Sequence, residues 1–281
     1  MSAHRCWGIF RERTHSPGRE SDDAEILRLT AKELEGRGFT VSVKTPDALD
    51  DPAEPPPPAI FLMCERLEVL RTLSAWEATG IRLVNSPVAV LNTYRERMLA
   101  LWAAAGIPFP ASRVVRTDLP PSPEPGWGRW PIWVKRADVH NTQQGDVSRV
   151  DDRAALGDVL VGLARRGLQR AVLQEDVAGD LLKFYGIGTE AGPDGSAPWF
   201  RSFYHRDQVL HGHPLDPSAL ASLGRRAAAA LGLEVFGGDA LVGSDGRLTL
   251  IDLNAWPSFA LYRDDAAAEI AAHLARRFTR A

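Results

Sequence analysis

Apolar residues in the first ninety positions alternate between short continuous runs and helical spacing. CWGIF (6–10) reads as a strand. Ser21-Asp22-Asp23 then cap a helix whose apolar positions, Ile26, Leu27, Ala31 and Leu34, run on to Gly36 and Gly38. FTVSV (39–43) alternates as a second strand, and AIFLMC (59–64), a helix near 67–79 and RLVN (82–85) continue the series. The proline-rich DDPAEPPPP (50–58) interrupts it as a surface loop. Residues 1–91 are therefore expected to form an open α/β domain.

NTYRERMLALWAAAG (92–106) carries a helical pattern with Asn92 as its cap and Gly106 as its stop, and PFPAS forces an extended entry into the next unit. LPPSPEPGWG (119–128) is a loop ahead of the strand PIWVKRA (131–137). AVLQEDV (171–177) is a strand closed by Gly179-Asp180, and LLKFYGIG begins another at 181. The strand PWFRSFYH (198–205), an alanine-rich helix around 217–231, two strands and a helix over 264–278 complete the chain. These breaks divide the remainder into two α+β units, 92–178 and 179–281, with no internal repeat.

A chain of 281 residues, 44% hydrophobic and 25% charged, has enough apolar surface for a sizeable core. Its net charge of −3 lacks the broad positive footprint of a nucleic-acid binder, though a local basic groove for a phosphorylated ligand stays open. Cys6 and Cys64 lie in apolar runs, as buried reduced thiols do, and no Cys/His zinc spacing occurs. No apolar run is long enough for a membrane span or a signal segment, so the cytoplasm is the expected compartment.

Two positions break the apolar pattern of LTLIDLNAWPSF (248–259). On a strand, Asp252 and Asn254 share a face while Ile251, Leu253 and Ala255 take the other. Upstream, Asp245-Gly246 is a two-residue hairpin signal, which sets Ser244 opposite Arg247 and Asp239 opposite Asp252. Adjacent carboxylates repel unless a cation lies between them, and the oxygen set of Asp239, Asp252 and Asn254 suits Mg²⁺, or Mn²⁺ in its place, holding a nucleotide's phosphates.

Lys135, in IWVKRA, and Lys183, in LLKFYGIG, are lone lysines within largely apolar strands. Singly, each equally fits an edge-strand lysine that blocks sheet pairing; together they fit two ammonium groups converging on a polyphosphate. Gln174-Glu175-Asp176-Val177 ends its strand with free backbone groups for an adenine edge, and Asp180 follows at the place for a ribose hydroxyl.

In this order the residues resemble the ATP-grasp superfamily, over nearly the full chain. The resemblance implies an N-terminal α/β domain followed by two α+β subdomains that sandwich ATP. Arg97 in YRERML matches the family's first basic residue and Lys135 the lysine of the central subdomain. Residues 174–177 match the adenine-reading hinge, Asp180 the ribose acid, Lys183 the phosphate lysine, and Asp239, Asp252 and Asn254 the metal ligands. Asp252 stands where most of the ligases have Glu, similar to the inositol-phosphate kinases of the superfamily, and the phosphate-covering loop DVHNTQQGDVSRV (138–150) has a single glycine.

The resemblance implies an ATP- and Mg²⁺-dependent ligase that joins a carboxylate to an amine or related nucleophile through an acyl phosphate. Arg201, with Arg206 and Arg263 behind it, is the candidate for steadying the tetrahedral oxyanion beside Lys183. The alternatives are a small-molecule kinase of the polyol or inositol-phosphate type and a nucleotide-binding protein without catalysis. A kinase acting on a phosphorylated acceptor needs a basic cluster, for which His140, His205, Arg206, His211 and His213 are the candidates, His211 and His213 fitting plain loop polarity better. His140, in the phosphate-covering loop, is placed for a phosphate or substrate contact, and Glu12, Arg13 and His15, after the first strand, face either substrate or solvent. The implied partner is a small-molecule or peptide substrate, with neither nucleic acid nor membrane; a homodimer is left open.

Overall fold

A computed structural model describes residues 4–49, 54–119, 129–140, 143–192 and 195–279. The first sheet is wholly parallel and is made of β1 (His4–Ile9), β2 (Phe39–Lys44), β3 (Ala59–Leu62) and β4 (Arg82–Val84), in the order β2-β1-β3-β4. Helices cover both faces, as a parallel sheet requires. α1 (Glu20–Glu35) lies on one side; α2 (Leu67–Ala78) and α3 (Pro87–Asn92) lie on the other. Residues 50–53 of the proline-rich loop fall outside the described residues, as do 120–128 of the later one and 141–142 of the phosphate-covering loop.

The expected single helix over 92–106 is two. α3 ends at Asn92, and α4 (Arg95–Ala104) starts only after Thr93 and Tyr94 turn the chain. The first amides of α4 find acceptors outside the helix: Arg95 N donates to Asp138 O at 3.0 Å and Glu96 N to Ala137 O at 2.9 Å. This break aims Arg95 inward and leaves Arg97 exposed.

The second sheet is antiparallel, in the order β5-β8-β6-β7, from β5 (Ser112–Arg116), β6 (Ile132–Arg136), β7 (Val147–Val150) and β8 (Arg170–Glu175). The last part of the expected phosphate-covering loop is thus a strand, and the hinge strand ends at Glu175 rather than 177. With α5 (Arg153–Arg165), a helix the sequence pattern did not single out, this sheet builds its own core from Ile132, Val134, Leu156, Leu160, Ala171 and Leu173. Strand alternation then sets Trp133, Lys135, Val172 and Gln174 on the opposite face.

The third sheet runs β10-β9-β11-β12, from β9 (Asp180–Ile187), β10 (Trp199–Tyr204), β11 (Val235–Val242) and β12 (Leu248–Ala255). α6 (Pro217–Leu231) covers one face through a core that includes Leu182, Phe184 and Leu250 and continues into the first sheet at Trp7, Ile60 and Leu62. α7 (Arg263–Thr279) packs with α1, and Ile187, Phe259 and Ile270 share a core with Ile26 and Phe61. The first and third sheets therefore share hydrophobic cores. A buried Asn85 clamps them: its Nδ2 donates to Val235 O at 2.7 Å, and its Oδ1 accepts from Glu234 N and Val235 N at 2.8 and 2.9 Å.

The β11–β12 hairpin reaches its expected pairing by a different route. Asp239 does lie opposite Asp252, but the turn has three residues: Gly243 N donates to Arg247 O at 2.9 Å, and Gly246 sits at φ +77°. That shifts the register by one. A bulge at Ile251 shifts it back, so that Ala240 faces Leu250 while Asp239 faces Asp252. Ile251 consequently stays half-buried instead of joining Leu253 and Ala255 in the core. Gly238 lets the strands approach, since a Cβ there would lie 2.5 Å from Asp252 O.

Candidate active site

Lys183, Asp239 and Asp252 form a row across β9, β11 and β12, each directly opposite the next. Lys183 Nζ lies 2.8 Å from Asp239 Oδ1. Asp252 Oδ2 accepts from Arg95 Nη2 at 3.1 Å, and Asn254, opposite Gly237, extends the row. Arg95, 3% exposed, also donates to Val139 O at 2.8 Å and Arg136 O at 3.3 Å, and so ties the second sheet to the third. It takes the place expected of Arg97, whose side chain points to solvent. Arg95 stands in the first turn of α4, a position that a single helix starting at Asn92 conceals.

Lys135 enters from the second sheet, buried at 7% exposure and without a hydrogen-bond partner among the described residues. Burial pushes its pKa down to about 8; Asp252 opposes the shift and Arg95 adds to it. With Arg95 and Lys183, three cations face two carboxylates, which leaves the site net positive. Between pH 8 and 10.5 the unfolded chain holds this proton more tightly than the folded one. Stability therefore rises with pH across that window, with a slope of up to about 1.4 kcal/mol per pH unit. Lys135→Met should remove the rise, read as the difference between wild-type and variant urea midpoints at pH 8 and pH 10. An equal pH dependence in both proteins would exclude a buried ammonium at 135.

The hinge lies on the same face of the second sheet as Lys135. Gln174, 2% exposed, donates through Nε2 to Ser112 Oγ at 3.1 Å, and its Oε1 has no hydrogen-bond partner among the described residues. Asp176 and Val177 lie beyond the last ladder pair, Ile132–Glu175. The Asp176 carboxylate is occupied by Trp133 Nε1 at 2.6 Å and Arg149 Nη2 at 3.2 Å.

Several expected contacts fall elsewhere. Asp180 is fully buried, and its carboxylate accepts the amides of His211 and His213 at 2.8 and 3.1 Å, which hold its pKa down to about 2; a ribose contact finds it already engaged. Both nitrogens of His140 turn to the first sheet's loops, Nδ1 to Glu65 Oε2 at 2.8 Å and Nε2 to His15 O at 3.3 Å. Arg201 is exposed and pairs with Asp265 of α7 at 3.0 Å; Arg263 pairs with Asp22 at 2.6 Å, and Arg206 faces solvent. Glu12 is buried, accepting from Glu65 N and Arg66 N at 2.9 and 3.1 Å, whereas Arg13 is exposed.

The sequence pattern gave no sign of the cluster below β12. Arg11 pairs with Glu65 and, at 3.0 Å, with Asp23, and its Nη2 donates to Trp256 O at 2.7 Å and Ala255 O at 3.2 Å. Trp256 and Phe259 adopt φ of +40° and +51°, a conformation that costs bulky residues about 1–3 kcal/mol each. Arg11 fixes that strained exit right after Asn254. It also lines an open groove of about 940 Å³ with Arg13, Arg28, Asp47 and Arg66, at the carboxyl ends of β1 and β2. Cys6 and Cys64 are buried free thiols, the first pushed up to about 12 by burial, as the apolar runs implied. Among the described residues no helix is long and apolar enough to cross a membrane.

No family model matches the sequence, and no curated protein does. Solved structures match in shape. A RimK-domain ATP-grasp protein of Sphaerobacter thermophilus is 20% identical, with a TM-score of 0.66 over 96% of this chain and 99% of that one. D-Alanine–D-alanine ligase of Bacillus anthracis, complexed with ATP, is 12% identical, with a TM-score of 0.71 over 98% and 97%. D-Alanyl-alanine synthetase A of Vibrio cholerae is 12% identical, with a TM-score of 0.73 over the full length of both chains. Three sheets in this order, superimposing along the whole chain on such structures, identify the architecture as the ATP-grasp fold.

Proposed function

We propose that this chain is an ATP- and Mg²⁺-dependent ligase that joins a carboxylate to an amine or related nucleophile through an acyl phosphate. The observation that carries the reading is the largely buried Lys135 on one sheet, whose ammonium has no hydrogen-bond partner among the described residues, with the Lys183–Asp239–Asp252 row on the next and Arg95 touching both. An orphaned buried cation in a net positive site fits a polyphosphate, and the oxygens of Asp239, Asp252 and Asn254 fit Mg²⁺ or Mn²⁺.

Bound Mg²⁺ would supply charge neutralisation on the phosphates. Lys135 and Lys183 add to it from the two sides, and Arg95 keeps Asp252 oriented. The free backbone beyond Glu175 offers the adenine edge its hydrogen bonds. A substrate carboxylate oxygen bonds the γ-phosphorus as the bond to ADP breaks; the amine then attacks the acyl carbon and phosphate leaves. Arg201 would steady the oxyanion after leaving Asp265, an exposed pair whose release costs about 1 kcal/mol or less.

A small-molecule kinase is the second reading, favoured by Asp at 252. The basic cluster it needs is dispersed: His140 is on Glu65 and His211 is on Asp180. ADP release across mixtures of carboxylates, amines and polyols, with mass analysis of the product, separates the two. A ligase gives a product with the mass of both substrates less one water. A stable phosphorylated product without a new amide supports the kinase, and no ADP release leaves only nucleotide binding.

A further inference from the structure

We propose that Asp180, His211 and His213 form a binding site for a divalent transition-metal ion of the zinc, cobalt or nickel class, distinct from the proposed Mg²⁺·ATP site. Each residue offers one ligand atom, and these atoms all lie within 4.8 Å of one another. Asp180 is three residues before Lys183 on β9, about 10 Å along the strand, and has the opposite parity, so it faces away from the Lys183–Asp239–Asp252 row.

The three groups are held before any ion arrives. Asp180 Oδ1 accepts from His211 N and also lies against His211 Nδ1, whereas Oδ2 accepts only from His213 N and keeps a lone pair for an ion. Gln208 fixes the same loop to β9: its Oε1 accepts from Leu181 N at 2.7 Å and its Nε2 donates to Leu181 O at 2.7 Å. Gly212, at φ +70°, turns the chain between the histidines, whose rings lie nearly parallel, 10° apart, with centroids separated by 5.4 Å.

His211 Nδ1 is 3.1 Å from Asp180 Oδ1. Bonds of about 2.1 Å to a tetrahedral ion place neighbouring ligand atoms roughly 3.4 Å apart, close to the spacing of this pair, and no two of the three atoms are more than 4.8 Å apart. The His213 ring has no hydrogen-bond partner among the described residues, and His211 is well exposed, which leaves coordination positions open. Two imidazoles and one ionised carboxylate suit zinc-class ions over Mg²⁺, which prefers oxygen ligands. A bound ion would fasten the 205–216 loop to Asp180, three residues beyond Val177.

The test is Zn²⁺ titration calorimetry on the full chain without an affinity tag, in the absence of nucleotide, with Co²⁺ absorption as a second readout. One equivalent should bind, and His211→Ala/His213→Ala should weaken binding by at least about 10–100-fold, the loss that even outer-shell substitutions produce. Asp252→Asn should leave it unchanged. The double variant keeps the backbone amides that hold Asp180; should it nevertheless fail to fold, His213→Gln gives the same comparison. No Zn²⁺ binding by the wild type, or binding that survives loss of the imidazoles or disappears in Asp252→Asn, would overturn the assignment.

Discussion

Lys183→Ala and Asp252→Asn should each lower ATP turnover by at least about 10²-fold, with the fold intact, because in the proposed reaction each removes a charge aimed at the transferring phosphates or at their metal ion. Lys183 is half-buried and Asp252 lies on a sheet face, so neither substitution opens a core cavity. Arg95→Ala should lose activity on the same scale, since it frees the Asp252 carboxylate and unties the second sheet from the third. Arg97→Ala, at an exposed position two residues along the same helix, should retain activity. Steady-state ADP release, with circular dichroism as the fold control, reads all four. Full activity in Lys183→Ala or Asp252→Asn would dismiss the row as the reaction centre, and equal losses in the two arginine variants would undo the distinction between them.

The second large effect is on stability. Arg11→Met should destabilise the protein by about 3–5 kcal/mol, because Glu65 and Asp23 would remain buried without their cation. It would also release the carbonyls of Ala255 and Trp256, where the chain holds a left-handed tryptophan. Burial alone would raise the pKa of Glu65; Arg11, followed by His140, instead brings it down to about 2 from an ordinary 4.5. The stabilisation is therefore complete above pH 4.5 and is lost as pH falls towards 2. Glu65→Gln added to Arg11→Met should recover part of the loss, since only the Asp23 carboxylate then remains without its cation. Urea unfolding at pH 7 measures both; an Arg11→Met midpoint equal to the wild type would show that the cluster contributes nothing.

How much of this was legible depended on the range of the signal. Period-two alternation puts Asp252 with Asn254, because side-chain parity is local, whereas Lys135 and Gln174 stand on different strands and share a face only through the register of β6 on β8. The Asp239–Asp252 pairing emerged from the turn although the turn itself differs: a third turn residue and the Ile251 bulge offset each other, and no sequence signal marks a bulge without glycine. The break at Thr93-Tyr94, which sets Arg95 inward and Arg97 outward, contains neither proline nor glycine to mark it. The resemblance points the Asp180 carboxylate at a ribose and the loop sequence points His140 at a phosphate or substrate, whereas loops 31 and 75 residues away in sequence claim them. Arg11, Glu65 and Trp256 meet across the whole length of the chain, and only the folded sheets bring them together.

The most direct measurement is calorimetric binding of a non-hydrolysable ATP analogue with and without Mg²⁺, in the wild type and in Asp239→Asn/Asp252→Asn. The wild type should bind more tightly when Mg²⁺ is present, and the double variant should lose that enhancement. A magnesium enhancement of the same size in both proteins would contradict a metal·nucleotide site at Asp239, Asp252 and Asn254.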